Sequence, residues 1–460
     1  MITLGHGSAP MSKRTCPSPA HSAPRVAAAA VVVLALGTAG WAQPNMDWGA
    51  QLAAELAALK AQGVPLTLAE AAPKPVPDDQ NAAILYQQVF NAPDLGAAGL
   101  WDGEIDVLEM FRHDMGMAIE SEEILSRPEV RTALGIFWQA SQMPYCVFPI
   151  NWQDLGAPFP HMARFRRAPR LIAAYCFTLA TEGRPKEALD WALVALRMSR
   201  HAAAEPTIIA QLISYTMQGV ALDSVRQILA DSVIDAATAD AVEQGLLNID
   251  HHYEALNAAL RTELSWGCDV YEAGRRDPKA IRQILVGTAG TDEVPVDDLL
   301  AVPPDERDQL VYVSYVRAMQ ETAKLPYRDG AGQLDALQDD FDRRREPHML
   351  AGWLVPAAGR LLQRRDWAVA EIGLCRVVLA LKAYKYMRNA YPVTLEQLQQ
   401  TLQHALPKDP FSGEDFVYQP QGEGFKLYSL GGDLDDDGGA SPKDEGHNYD
   451  NCDIVWECVR

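Results

Sequence analysis

The sequence predicts a mainly α-helical protein that ends in a small α+β module. From residue 81 to residue 365, apolar residues recur at spacings of three and four, and alternating β-branched residues are scarce. From residue 366 to residue 460, a long helical pattern is followed by short alternating runs separated by glycine-containing turns. The 48% hydrophobic and 22% charged residues are typical of a globular chain.

The region 81–365 is predicted to be a body of helical hairpins. Proline and glycine separate its apolar periodic segments. The predicted helices are Asn81–Asn91, Glu104–Glu120, Arg167–Glu182, Pro185–His201, Thr207–Ala230 and Ala236–Tyr271.

Residues 1–42 have the features of a secretory signal peptide. Lys13, Arg14 and Arg25 precede the apolar run 26–39, and small residues lead to a cleavage site after Ala42. The apolar run is short for a membrane span. We therefore expect an exported protein, periplasmic or extracellular, without a stable span after cleavage. The alternative is an uncleaved segment that anchors the chain. Residues 43–80 are predicted to contain a short helix, Trp48–Ala61, and a proline-rich linker.

Export would allow disulfides, and six cysteines follow the signal segment. Cys452 and Cys458 are close in sequence and are candidates for a clip at the C-terminal end. Cys176 and Cys375 lie inside apolar helical patterns, where a buried free thiol is the favoured interpretation.

One helix pair resembles a tetratricopeptide hairpin. The segment 175–196 has a glycine turn at Gly183, a Glu-Ala-Leu start to its second helix, and small alanines at close-packing positions. The resemblance covers about one repeat, whereas a solenoid needs about three. A generic helical hairpin and a degenerate repeat domain both remain open.

The C-terminal module, residues 366–460, has a distinctive order of motifs. A helix over Trp367–Arg388 is followed by Tyr-Pro, a short helix over Leu395–His404, Leu-Pro-Lys-Asp-Pro-Phe and a hairpin. Tyr-Ser-Leu-Gly comes next, and an acidic loop that contains glycine, Asp433–Gly439, follows it before Asp453-Ile454.

This order resembles the globular domain of the major pseudopilin of type II secretion systems. The resemblance implies a calcium ion held by Asp433, Asp453 and backbone carbonyls near Leu430. The family's processed N-terminal hydrophobic helix is missing from the pattern, so we do not expect this chain to form a pseudopilus. The loop also carries additional acids at Asp435, Asp436 and Asp437, of which Asp435 and Asp437 complete the set of candidate metal ligands.

The loop by itself also fits an EF-hand spacing. Asp433, Asp435, Asp437, Gly438 and Asp444 occupy positions 1, 3, 5, 6 and 12 of such a loop. The strand-like run before it and Pro442 after it disagree with flanking helices. Both interpretations predict calcium, and a solvated acidic turn without an ion is the remaining alternative.

The helical body shows no catalytic motif in its sequence. The adjacent His251 and His252 point about 100° apart on a helix and are predicted to be surface histidines. The net charge of −21 makes nucleic acid an improbable partner. We therefore expect a non-catalytic scaffold or protein- or peptide-binding protein of the bacterial envelope. The alternative is an envelope hydrolase whose catalytic carboxylates are dispersed in the helical body.

Overall fold

The structure is a computed structural model, and it describes most of the chain after residue 45. The described residues are 46–97, 99–101, 122–157, 159–249, 251–279, 281, 283–284, 304–345, 349–355, 358–441 and 452–458. The predicted signal peptide, the predicted helix Glu104–Glu120 and Asp444 lie outside these ranges. From Trp48 onward the described residues belong to one compact unit.

The fold is mainly α with a small C-terminal sheet, which confirms the predicted class. The helices are α1 (Trp48–Ala61), α2 (Leu68–Ala71), α3 (Ala82–Phe90), α4 (Pro93–Ala97), α5 (Pro128–Ser141), α6 (Pro160–Thr181), α7 (Pro185–Ala203), α8 (Ile208–Asp231), α9 (Ala236–Leu247), α10 (His252–Arg276), α11 (Glu306–Thr322), α12 (Tyr327–Arg344), α13 (Ala351–Leu354), α14 (Ala358–Arg388) and α15 (Leu395–Gln399). The strands are β1 (Val417–Gln421), β2 (Gly424–Ser429) and β3 (Ile454–Cys458).

Four predicted helices differ from the structure by more than three residues, and one of them is α14, which begins at Ala358 rather than at Trp367. Helix α6 begins at Pro160 and continues through Pro169, so Arg167 is not its start. The predicted helix Ala236–Tyr271 is two helices, because Asn248 ends α9 and the apolar pattern continues across the turn. Helix α15 ends at Gln399, whose side chain accepts from the Leu406 N–H (2.7 Å) and donates to the His404 carbonyl (2.8 Å).

The sheet is antiparallel with the order β1-β2-β3. Gln421 pairs with Gly424 at the hairpin turn, and Ser429 at the end of β2 pairs with Ile454 at the start of β3. The acidic loop therefore leaves the sheet at the end of β2, and the chain re-enters it at β3.

The sheet and the helical body share one hydrophobic core. A continuous cluster of buried side chains runs from Tyr86 in α3 through Leu196 in α7 to Phe425 and Trp456 in the sheet. Helix α14 packs against α8, α9, β2 and β3. The predicted boundary between residues 365 and 366 lies inside this helix.

The segment before residue 81 also packs on the body. Helix α1 lies against α11, and α2 lies against α10. The Leu68 N–H donates to Asp269 Oδ2 (2.8 Å), and the Ser265 hydroxyl donates to the Pro65 carbonyl (2.8 Å).

A buried ion pair joins α11, α12 and α14. Arg365 and Asp366 are both fully buried, and Arg365 Nε lies 2.7 Å from Asp366 Oδ1. The Arg365 guanidinium also donates to the carbonyls of Ala323 and Leu325 (the latter 2.7 Å) just after α11. Asp366 Oδ2 accepts from the Tyr327 N–H at the start of α12 (2.5 Å). The pair thus satisfies backbone groups that α11 and α12 leave at their ends.

We predict that Arg365→Met strongly destabilises the protein. The substitution leaves Asp366 as an uncompensated buried charge and removes the donors to both carbonyls, at a cost of about 3–5 kcal/mol in the free energy of unfolding. Urea denaturation measures this cost. The matched control is Arg364→Met at the exposed neighbouring position, which we expect to change the free energy by less than about 0.5 kcal/mol. Equal losses in the two variants would contradict the role of the pair.

Candidate functional site

Asp453 joins the acidic loop to the sheet. It immediately precedes β3 and is fully buried. Its backbone N–H donates to the Ala440 carbonyl (2.9 Å), and its Oδ2 accepts from the Gly439 N–H (2.7 Å). These two hydrogen bonds therefore hold the C-terminal part of the loop against the start of β3.

The second carboxylate oxygen of Asp453 is an unusual feature of this site. Asp453 Oδ1 is buried and has no hydrogen-bond partner among the described residues. A buried acceptor without a donor or a cation is costly. Burial raises the pKa of Asp453 to about 6; the Gly439 hydrogen bond lowers it, while the neighbouring Asp436, Asp437 and Asp433 raise it further.

The acidic loop places its carboxylates in an exposed arc next to Asp453. Residues 433–438 are exposed, and partial burial raises the pKa of Asp433, which Asp437 and Asp435 raise further. Asp433 Oδ1 accepts from the Asp435 N–H at 3.4 Å. Leu434 has a φ of 64°, a left-handed conformation that is rare for a leucine.

The carboxylates of the loop differ in which neighbours they influence electrostatically. Asp433 and Asp437 both raise the pKa of Asp453, whereas Asp435 raises the pKa of Asp433. Asp436 was not a predicted ligand, yet it also acts on Asp453 and accepts from the Tyr428 hydroxyl (3.0 Å). The sequence gives no way to separate Asp436 from its neighbours, because the turn geometry decides which carboxylate meets the strand.

Two glycines permit the close approach of the loop to its surroundings. Gly431 has a φ of 72°, and a Cβ there would lie 2.1 Å from the Cys452 carbonyl oxygen. A Cβ at Gly432 would lie 1.8 Å from Nε2 of Gln363, in α14. The N-terminal part of the loop thus touches both the sheet and the long helix.

Asp409 fixes the chain at the point where β2 ends. Its buried carboxylate accepts from the Ser429 hydroxyl (2.7 Å) and from the Leu430 N–H (3.3 Å). It also accepts from the Phe411 and Ser412 N–H groups of its own turn. Leu430, whose carbonyl is a predicted ligand, is therefore held in place through its N–H by Asp409.

The arrangement offers hard oxygen atoms to a cation, which is the donor type that calcium prefers. In the part of the chain that the structure describes, no group of three or more His, Cys, Asp or Glu side chains is already assembled to hold a metal. A site built from two carboxylates and backbone carbonyls requires fewer such side chains. The buried, unpartnered oxygen of Asp453 fits such a site.

The flanks of the loop bear on the EF-hand alternative. Strand β2 ends at Ser429, four residues before Asp433, where an EF-hand has a helix. Asp444, which would be position 12, lies outside the described residues.

The predicted Cys452–Cys458 clip is wrong. Cys452 lies two residues before β3 and Cys458 is the last residue of that strand, whose five residues alone span about 13 Å. A disulfide requires Cα atoms within about 7 Å. Cys458 carries a free thiol, and Cys176 and Cys375 are buried free thiols as predicted.

His252 is not a surface residue, which corrects the prediction from sequence. It is buried at the start of α10, and its Nε2 lies 2.7 Å from Oε1 of Gln218 in α8. His251 is exposed, as predicted. Gln211, Tyr215 and Gln218 recur at spacings of four and three along α8, and this polar stripe is the sequence signal that could have indicated a buried partner for His252.

Two carboxyl groups of the helical body have strongly raised pKa values. Burial alone raises the pKa of Glu263, in α10, to about 7. Burial also raises the pKa of Glu371, in α14, to about 7, with Arg226 opposing the shift and Asp223 adding to it. Neither glutamate contributes to the shift of the other, so the two do not act as a coupled pair.

Comparisons with protein-family models, with curated proteins and with solved structures find no match. Among the helices that the structure describes, none combines the length and the apolar character needed to cross a bilayer.

We predict that Asp453 makes the calcium-free protein less stable as the pH rises from about 4 to about 6. The folded-state pKa lies above the unfolded value of about 3.9, so the native state holds this proton more tightly. The unfolded state binds fewer protons in this window, and the free energy of unfolding therefore falls.

Urea denaturation in calcium-free buffer at several pH values measures this dependence. Asp453→Asn should remove part of the slope, whereas Asp240→Asn, at an exposed position in α9, should leave it unchanged. The same slope in the wild type and in Asp453→Asn would contradict the assignment.

Proposed function

We propose that the protein is an exported, non-catalytic scaffold or binding protein of the bacterial envelope, with a C-terminal module stabilised by calcium. The observation that carries the calcium assignment is the fully buried Asp453, whose Oδ1 has no partner among the described residues. The resemblance to the pseudopilin globular domain supports the same ligand.

Calcium relieves two unfavourable features of the loop at once. It gives the buried Asp453 oxygen a positive partner, and it offsets the repulsion among the carboxylates that raises the pKa values of Asp453 and Asp433. Asp453 and Asp433 would hold the ion, with Asp437 nearby and the Leu430 carbonyl completing the shell. The ion would then link the start of β3 to the loop.

We predict that calcium binds with a stoichiometry of one and that Asp453→Asn combined with Asp433→Asn abolishes binding. Isothermal titration calorimetry at neutral pH measures both, because the double variant removes the two charges on which the site depends. Asp240→Asn is the matched control and should bind as the wild type does. Loss of binding in Asp444→Asn with retention in Asp453→Asn would instead support the EF-hand ligand set.

An exposed apolar surface supports a binding role for the rest of the molecule. Val233, after α8, is 83% exposed, and Tyr386, near the end of α14, is 57% exposed. Both line a depression of about 230 Å³ together with Lys382 and Lys385. Exposed apolar side chains that surround a depression are typical of interaction sites.

The chemistry of this depression favours a peptide with an apolar anchor and an acidic neighbour. Val233, Tyr386 and Tyr391 supply apolar surface, and Lys382 and Lys385 supply two positive charges against the one negative charge of Glu423. Lys385 Nζ lies 4.4 Å from the centre of the Tyr391 ring and donates to the Glu423 carbonyl (3.1 Å). The lysine is thus positioned at the rim by both contacts.

We predict that peptide phage display on the calcium-loaded protein enriches sequences with an aromatic or aliphatic residue next to Asp or Glu. Val233→Ser combined with Tyr386→Ser should reduce the affinity of a selected peptide about tenfold or more, since two apolar contacts are lost. Leu247→Ser, at an exposed apolar position elsewhere, is the matched control. Enrichment of basic peptides, or equal binding by all variants, would contradict the proposal.

A further inference from the structure

Strand β3 is an edge strand of the sheet, and among the residues that the structure describes it pairs only with β2. An edge strand presents a row of backbone N–H and C=O groups with which another chain can pair. Proline cannot donate to such a pairing, and Pro420 lies within β1, the other edge strand, whereas β3 contains no proline. Of the two edges, β3 is therefore the one suited to accept a further strand.

The register of the sheet fixes which backbone groups of β3 point to its free edge. Gln421 and Gly424 flank a two-residue turn in which Gly422 has a φ of 58°, so they form a hydrogen-bonded pair. Hydrogen-bonded and non-hydrogen-bonded pairs alternate along an antiparallel ladder. By this alternation, Val455 and Glu457 are the residues of β3 whose N–H and C=O groups point away from β2.

The acidic loop already pairs with the beginning of this edge. Asp453 lies two residues before Val455, on the same side of the strand, and its N–H donates to the Ala440 carbonyl (2.9 Å). Beyond this point, the backbone groups of Val455 and Glu457 that point to the edge have no partner among the described residues. Val455 is half-buried and Glu457 is exposed, so the described residues do not enclose this stretch. An incoming strand thus meets two N–H and two C=O groups.

The free edge of β3 leads into the lysine-containing depression of about 230 Å³. Cys458, the last residue of β3, lines this depression. A strand that pairs with Val455 and Glu457 therefore reaches the depression one residue further on. There, Lys382 and Lys385 favour an acidic side chain, so the edge and the depression together form one continuous surface for an extended chain.

We propose that a partner protein binds by adding an extended segment to β3 as a further strand of the sheet. The backbone of the segment pairs with Val455 and Glu457, and the part that passes Cys458 places an apolar and an acidic side chain in the depression. A second copy of this chain is a poorer occupant, because two molecules with a net charge of −21 repel each other. The inference rests on the proposed peptide-binding role and assigns the binding mode of that role.

N-methylated versions of the tightest-binding peptide from the phage selection test this proposal on the full chain. A methyl group on an amide that faces β3 removes its N–H and blocks the approach of the two strands, whereas a methyl group on the next amide points away. Isothermal titration calorimetry should therefore show that single methylations alternately abolish and retain binding along the peptide. Losses without alternation, or equal affinities throughout, would overturn the strand addition and leave the peptide-binding role intact. A selection that enriches no peptide would overturn both.

Val455→Pro tests the same edge on the protein side. The substitution removes only an N–H that points to the free edge, a position of the kind that Pro420 occupies in β1, so the protein should remain folded by circular dichroism. It should weaken peptide binding about tenfold or more, because the donor is lost and the ring lies in the path of the added strand. Val455→Thr keeps the N–H and is the matched control, which should bind as the wild type does.

Two results with these variants would overturn the proposal. The first is equal peptide affinity in Val455→Pro and Val455→Thr. The second is a dimer of the peptide-free protein in analytical ultracentrifugation that Val455→Pro converts to a monomer, since a second copy would then occupy the edge.

Discussion

The buried ion pair of Arg365 and Asp366 is the interaction on which the arrangement of the helices depends. The two side chains are fully buried and bind each other at 2.7 Å. Together they satisfy backbone groups after α11 and at the start of α12, and the guanidinium lies 3.9 Å from the centre of the Tyr253 ring in α10. A buried pair of this kind is favourable only when its remaining donors and acceptors are satisfied, as they are here. It therefore favours one arrangement of the three helices α10, α11 and α12 around α14.

The same helix carries the sheet and touches the acidic loop, so the proposed calcium site is not an isolated appendage. Gly432 lies against Gln363, two residues before Arg365. The sheet also contacts the helical body directly, because the guanidinium carbon of Arg226 in α8 lies 4.9 Å from the centre of the Trp456 ring in β3. An ion that fixes the loop would thus stabilise the shared core.

The sequence predicts the periodic parts of this structure well and the long-range contacts poorly. The bounds of α1 are confirmed, and the hairpin of α6 and α7 is present, because apolar periodicity and capping residues are local signals. Arg365 and Asp366 look like a charged boundary in the sequence, since nothing local shows that the two side chains form an ion pair in the interior. His252 was misassigned for the same reason: its partner, Gln218, is 34 residues away. The choice among Asp433, Asp435, Asp436 and Asp437 depends on turn geometry that composition does not encode.

Calcium, in the function proposed above, stabilises one cooperative unit rather than a separate module. Differential scanning calorimetry of residues 43–460, in calcium-free buffer and then with excess calcium, tests it most directly. We predict a single transition under both conditions, with equal calorimetric and van't Hoff enthalpies, that calcium shifts as a whole to higher temperature. Two resolved transitions of which only one responds to calcium, or a transition that calcium does not move, would contradict the account.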